Sequence, residues 1–210
     1  MSNMKIQPYV LGRVETNCYF IINEETRETI LVDPADKGKQ IIQHLIEHSL
    51  KPVAILLTHG HFDHIMGIPE LLEEYNLPVY AMEEEKILLT DPSKNYSAGV
   101  GKRIVINVTH SLKDNEKLHL AGMDITVIYT PGHTIGGACY YFEKEGVLFS
   151  GDTLFRGSIG RTDFPTGDYD TLVQSLNTKL MVLPEEVTVY PGHERTTTIG
   201  YEKMHNPYIA

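Results

Sequence analysis

The sequence predicts an α/β fold. Apolar runs of four or five residues, too short for helices, alternate with stretches of helical spacing. Four of these runs lead straight into loops carrying histidine or aspartate. In an open α/β sheet the carboxyl ends of strands are where a site forms. The chain has 210 residues, 41% of them hydrophobic, enough for one sizeable core. A single domain over residues 1–210 is therefore expected.

Taken in order, Ile6 to Leu11, Cys18 to Ile22 and Thr29 to Val32 predict three strands of an antiparallel meander. Asp33-Pro34 closes the third. Asp33 has two open readings, a turn former or an acceptor that holds a metal-bound histidine in place. Ile41, Ile42, Leu45 and Ile46 set an amphipathic helix over Lys37 to Leu50. His44 and His48 fall inside it and read as solvated or half-buried helix residues. Val53-Ala54-Ile55-Leu56-Leu57 is a buried strand, and Ile68 to Tyr75 a helix that starts near Pro69. Val79-Tyr80-Ala81 predicts a short strand. Glu83 to Leu89 predicts a short acidic helix whose glutamates form a solvated face.

Thr90 to Gly101 reads as a surface excursion bordering the site. Lys117 to Leu120 and Asp124 to Tyr129 predict a hairpin turned at Ala121-Gly122. His110 and His119 lack ligand-type neighbours and are left outside the site. Val147 to Ser150 and Val187 to Tyr190 predict two further strands. Asp168 to Leu180, with Tyr169, Leu172, Val173, Leu176 and Leu180 at helical spacing, predicts a helix. The tail from Tyr201 to Ala210 predicts one helical turn, with no second domain after His193.

A formal net charge of −10 argues against nucleic acid or an anionic membrane as the main partner and leaves a small-molecule substrate. No leader is legible in Met1-Ser2-Asn3-Met4-Lys5-Ile6, and no apolar run has the length of a membrane span. Cys18 and Cys139 lie in apolar runs and read as buried thiols without a disulfide. The expected location is the cytosol.

Thr58-His59-Gly60-His61-Phe62-Asp63-His64 packs three imidazoles and a carboxylate behind the Val53 strand. Alternation in an extended chain lets His59 and His61 point the same way. A following turn swings Asp63 and His64 towards a neighbouring ion. His133, Asp152 and His193 each follow a glycine at the end of another strand, where the tight turn and close approach suit glycine. One tetrahedral ion needs about four ligands, so seven imply two metals. His59, His61 and His133 form one set, and Asp63, His64 and His193 the other, with Asp152 as bridge. Two dications at about 3.5–4 Å repel by roughly 20 kcal/mol at an effective dielectric of 20. Anionic bridges are therefore required. Imidazole and carboxylate ligands suit zinc, iron and manganese, and affinity order alone does not choose among them; two zinc ions are the expectation, with iron and manganese as alternatives. The chemistry expected is hydrolysis by a metal-bridging hydroxide, with Asp63 and Asp152 as the catalytic carboxylates. Neither cysteine has the histidine or basic neighbour that a nucleophile needs.

Thr58 to His64, Thr130-Pro131-Gly132-His133, Ser150-Gly151-Asp152-Thr153-Leu154-Phe155 and Pro191-Gly192-His193 together resemble the metallo-β-lactamase superfamily. Within it they are similar to glyoxalase II, the hydroxyacylglutathione hydrolases. The resemblance runs from Asn17-Cys18-Tyr19 to Asn206-Pro207-Tyr208. It implies a four-layer αββα sandwich and hydrolysis of thioesters such as S-lactoylglutathione. True β-lactamases of the superfamily generally place cysteine or serine where this chain has Asp152, which disfavours antibiotic hydrolysis. RNA-processing members carry extra domains and basic surfaces that this sequence does not show.

Two features depart from glyoxalase II. Its C-terminal helical segment, which supplies basic residues to glutathione, is not contained in the seventeen residues after His193. Gly160-Arg161-Thr162-Asp163-Phe164-Pro165 is similar to small bacterial glyoxalase II-like proteins, and a related segment occurs in persulfide dioxygenases. Those enzymes hold one iron on residues matching His59, His133 and Asp152, so an iron persulfide dioxygenase is the alternative. A lactonase is a further one. Arg161 and Asp163 read as an ion pair bracing their loop.

Overall fold

A computed structural model describes residues 3–209. Met1, Ser2 and Ala210, which the readings of the leader and the tail included, lie outside the described residues. Strands β1 (Met4–Leu11), β2 (Thr16–Asn23) and β3 (Glu28–Val32) form the expected antiparallel meander. Parallel strands β4 (Lys51–Leu56), β5 (Val79–Met82) and β6 (His110–Leu112) extend it to a six-stranded sheet in the order β1-β2-β3-β4-β5-β6. The second sheet uses β7 (Lys117–Leu120), β8 (Met123–Tyr129), β9 (Ala138–Phe142) and β10 (Val147–Gly151). A two-stranded hairpin, β11 (Leu154–Phe155) and β12 (Ser158–Ile159), follows. Strands β13 (Thr188–Pro191) and β14 (Thr197–Thr198) complete the second sheet, ordered β14-β13-β10-β9-β8-β7. The β7–β8 loop is the two-residue turn expected, with Ala121 and Gly122 both at positive φ (50° and 74°).

The burial pattern sets the layers. Along β2, Cys18, Phe20 and Ile22 enter one core while Tyr19 and Ile21 enter another, as the two-residue period of a strand requires. The first core lies beneath helices α1 (Gly38–Glu47), α2 (Phe62–Ile65) and α3 (Ile68–Glu74), which contribute Ile41, Leu45, Ile65, Ile68 and Leu71. Helix α4 (Lys86–Leu89) follows a 3₁₀ turn over Glu83–Glu85 and adds Leu89. The second core lies between the sheets and includes Leu56, Tyr140, Phe142 and Phe149. The third lies under α5 (Tyr169–Ser175) and α6 (Ile199–His205), with Leu172, Leu176 and Ile199. The result is the expected αββα sandwich.

Several local expectations are corrected. The glutamates after β5 are not a uniform solvated face, because Glu85 is wholly buried. His44 is buried rather than solvated, with its ring on Phe20 and its Nδ1 2.5 Å from the Tyr9 hydroxyl. Asn95 anchors the Thr90–Gly101 excursion from within, donating to the carbonyls of Leu88 and Ile104. The helix after Asp168 ends in a π-helical turn over Leu176–Leu180. The tail helix starts earlier than expected and runs to His205.

Hydrogen bonds stitch the two sheets together at the edge where the site forms. Tyr140 on β9 donates its hydroxyl to the Leu57 carbonyl at 2.6 Å, and Tyr19 on β2 donates to Pro191 at 2.6 Å. Ala138 N–H donates to the Thr58 carbonyl, and Asn17 N–H to that of Gly192. Each bond crosses from one sheet to the strand end of the other. Tyr140→Phe removes a buried donor and should cost about 1–3 kcal/mol. Urea denaturation checks this, and an unchanged midpoint would show that the cross-link adds nothing.

Candidate metal centre

All seven residues singled out by spacing converge on this edge. The end of β4 delivers His59 and His61, and the single turn of α2 delivers Asp63 and His64. The loop after β8 delivers His133, the end of β10 Asp152, and the loop after β13 His193. The donor atoms of His59, His61 and His133 lie within 4.8 Å of one another. So do those of Asp63, His64 and His193, and those of His59, His64 and Asp152. Two glycines make the approach feasible. Gly151 sits at φ 48° against the Thr58 side chain, and a Cβ on Gly192 would collide with Asp152 and His64.

The outward hydrogen bonds assign the ring nitrogens. His133 Nδ1–H donates to the Arg161 carbonyl at 2.7 Å, and His193 Nδ1–H to that of Val14 at 3.1 Å. His64 Nδ1–H donates to Asp33 Oδ2 at 2.9 Å. Thr58 gives its hydroxyl proton to the same Asp33 oxygen at 2.6 Å and accepts from His59 Nδ1–H at 3.2 Å. Each of these four rings therefore turns Nε2 inward, the nitrogen that offers a lone pair to an ion once its proton is gone. His61 is reversed: its Nδ1 lies 3.0 Å from His133 Nε2, and its own Nε2 is buried without a hydrogen-bond partner. His59 Nε2 lies 3.3 Å from the same atom. Neutral lone pairs facing one another repel unless a cation lies among them. His64 Nε2 and Asp152 Oδ1 are buried without a hydrogen-bond partner. The donor set thus fits metal ions, and the cluster is able to bind them.

Electrostatics divides the cluster in two. Burial, then the neighbouring His133, pushes His61 down to about 3. Burial together with His64 and His133 also lowers His59. These rings form a neutral donor half. Burial opposes charge on His64 too, but Asp63, Asp152 and Asp33 outweigh it and raise its pKa well above the usual imidazole range. His193 rises to about 9 against burial, through Asp152 and Asp63. Asp63 falls to about 2, since His64 and His193 overcome its burial. Asp152 stands between the halves. Its Oδ2 is 3.6 Å from His133 Nε2 and 3.5 Å from His193 Nε2, and its Oδ1 is 3.4 Å from His64 Nε2.

Both readings of Asp33 hold. It turns the chain at φ 48° and accepts from His64, Thr58 N–H and the Thr58 hydroxyl. His110 stacks on Tyr80 and His119 pairs with Asp124, both away from the cluster as expected. The Arg161–Asp163 ion pair forms with two contacts of 2.9 and 2.6 Å.

Sequence reasoning missed three supports. Thr16 donates to Asp63 Oδ2 at 2.8 Å. The Arg161 backbone, rather than its side chain, orients His133. Glu85 ties the two histidine loops together. One of its oxygens accepts from Gly60 N–H at 2.7 Å, the other from Gly136 N–H at 2.8 Å and the Thr134 hydroxyl at 2.9 Å. A signal for Glu85 was present, because it shares helical spacing with the buried Leu88 and Leu89.

A layered αββα sandwich with five imidazoles and two carboxylates at one sheet edge defines a metal-dependent hydrolase of the metallo-beta-lactamase superfamily. The model of that superfamily matches residues 11–193, and the chain belongs to it. Among its relatives is the Bacillus subtilis "Probable metallo-hydrolase YqgX", 37% identical over 98% of both chains. The Haemophilus influenzae "Hydroxyacylglutathione hydrolase GloC" is 33% identical, again over 98% of both. Among solved structures, the BLEG-1 B3 metallo-beta-lactamase superposes with a TM-score of 0.92 at 39% identity, over 98% of this chain and 99% of that one. TTHA1623 in a di-iron-bound form gives 0.86 at 34% identity, over 97% and 100%.

Burial pushes the Glu85 carboxyl up to about 7, although Gly60, Thr134 and Gly136 donate to it. A raised folded-state pKa means the folded protein binds the extra proton. The associated stability is full below about 4.5 and is lost as pH rises through about 7. Glu85→Gln cannot titrate. Wild-type stability relative to this variant should therefore fall by about 3 kcal/mol between pH 4.5 and 7.5. Denaturation at several pH values checks it, and a difference independent of pH would contradict the assignment.

Proposed function

We propose that the protein is a binuclear metal-dependent hydrolase of acyl thioesters. The observation that carries the reading is Asp152, whose Oδ2 lies within 3.6 Å of both His133 and His193 and whose Oδ1 lies 3.4 Å from His64. His59, His61 and His133 would hold one ion, Asp63, His64 and His193 the second, and Asp152 both. Bound there, two ions supply a water acidified to near neutral pH and polarise the substrate carbonyl. Asp33, Thr58 and the carbonyls of Arg161 and Val14 fix the rings that hold them. Asp63, kept ionised by His64 and His193 and oriented by Thr16, supplies a carboxylate at the edge of the substrate cavity. Zinc is the proposed metal, with iron or manganese as alternatives. The di-iron form of TTHA1623 gives iron added weight.

GloC supports the thioester reading. Its match extends over 98% of its own length, so that protein carries its name without a long C-terminal extension beyond the shared span. S-lactoylglutathione is therefore the first substrate to assay. An acidic chain with a small-molecule substrate in the cytosol fits this reading. The second-site residues Asp63, His64 and His193 weigh against a mononuclear persulfide dioxygenase. One observation favours a second reading, β-lactam hydrolysis. The likeness to BLEG-1 runs against the expectation drawn from Asp152 and brings β-lactams into the assay panel.

Metal-replete protein should contain two ions per chain and hydrolyse thioesters without consuming oxygen in the presence of glutathione persulfide. A single iron with oxygen uptake would replace this reading by the dioxygenase. Absence of turnover across a thioester panel would remove the substrate claim. Asp152→Ala should lose both ions and reduce hydrolysis by at least about a hundredfold. His59→Ala should lose chiefly one ion. Elemental analysis of the two variants checks this, and two ions retained in both would contradict the ligand assignment.

A further inference from the structure

A cavity of ≈ 680 Å³ opens over the cluster. That volume is in the range of small-molecule pockets. Apart from the metal residues its wall is mainly apolar and includes Val14, Tyr96, Val100, Phe155, Ile159 and Phe164. The apolar wall begins at the cluster itself. The Phe164 ring lies 5.3 Å from His61, and Phe155 lies 6.0 Å from His193. Tyr96 adds to the Phe164 side at 5.2 Å.

Three observations bear on what fills it. Val14 and Val100 are 48% and 49% exposed and both line the same cavity. Scattered exposed aliphatics need no explanation, but a shared apolar lining beside a polar centre marks a binding surface. Tyr96 is held at φ 64°, an outlying conformation for a bulky residue, by a loop anchored through the buried Asn95 and Ser97. Such conformations gather at ligand-binding sites.

Charge completes the picture. Arg161 is the one Lys or Arg among the described lining residues, and it is neutralised by Asp163 and lies over the Phe164 ring at 4.3 Å. Glu194, the other charged lining residue outside the cluster, is acidic. Arg13 and Lys102 line an adjoining groove instead, which shares Val14 and Val100 with the cavity.

We propose that this cavity is an acyl pocket selecting uncharged, apolar acyl groups of medium chain length, with Phe164 and Val100 as specificity-determining residues. The proposal rests on the thioester-hydrolase reading and goes beyond it, because a lactoyl group is small and polar. Removing a methylene from water in such a pocket favours binding by about three- to fourfold.

The test uses metal-replete protein and straight-chain acyl thioesters of N-acetylcysteamine from acetyl to octanoyl, with lactoyl and succinyl for comparison. The rise in kcat/KM should be about two- to fourfold per methylene, with succinyl at least about tenfold below hexanoyl. Phe164→Ala and Val100→Asp should flatten the chain-length increment, whereas Phe164→Leu should retain it. Calorimetric titration with acetate, hexanoate and octanoate provides a reading independent of turnover, and affinity should rise with length. Turnover independent of length, or preference for lactoyl or succinyl, overturns the acyl pocket while leaving the hydrolase reading intact. If no thioester is turned over the hydrolase reading fails, and length-independent carboxylate binding would then overturn the pocket as well.

Discussion

A largely buried carboxylate ringed by inward-facing imidazole nitrogens is the constraint on which the architecture depends. Asp152 cannot sit at the meeting point of both sheets without positive charge beside it, because an isolated buried anion is costly. His64 and His193 answer that demand by rising in pKa, and His59, His61 and His133 turn neutral donors to the same space. Bound metal cations would satisfy both halves together. The surrounding fold holds these groups where they would not assemble unaided. Cross-sheet bonds from Tyr140, Tyr19, Asn17 and Ala138 lock the two strand ends, and Asp33 and Glu85 brace the loops beyond them.

The neutral half and the anionic half suit different tasks. Beside the shared Asp152, three neutral imidazoles would leave a bound ion more of its charge, which favours polarising a carbonyl. On the other side Asp63 adds a second carboxylate to the shared Asp152 and would reduce the charge further. The field across a bound pair would therefore be uneven before any substrate arrives. The cavity over it is largely apolar, and such surroundings strengthen electrostatic effects at the reacting centre.

Much of this was legible in the sequence, and the reason is local. His59, His61, Asp63 and His64 fall within six consecutive positions, and His133, Asp152 and His193 each follow an apolar run and a glycine. Strand ends and ligands are short-range signals, and a sheet edge is where they meet. The meander, the β7–β8 turn and the helix capped by Asp168 were equally local in origin. What escaped was non-local. Glu85 looked like one of three surface glutamates, because its partners Gly60, Thr134 and Gly136 lie far along the chain. The Arg161 backbone carbonyl has no sequence identity to read. His44 was buried by Tyr9 and Phe20, which approach from other strands.

Anomalous diffraction from crystals of the metal-replete protein tests the central claim most directly. The account predicts two peaks, one among His59, His61 and His133 and one among Asp63, His64 and His193, with the Asp152 carboxylate in contact with both. A single peak, or two peaks with Asp152 turned away from either, would contradict it.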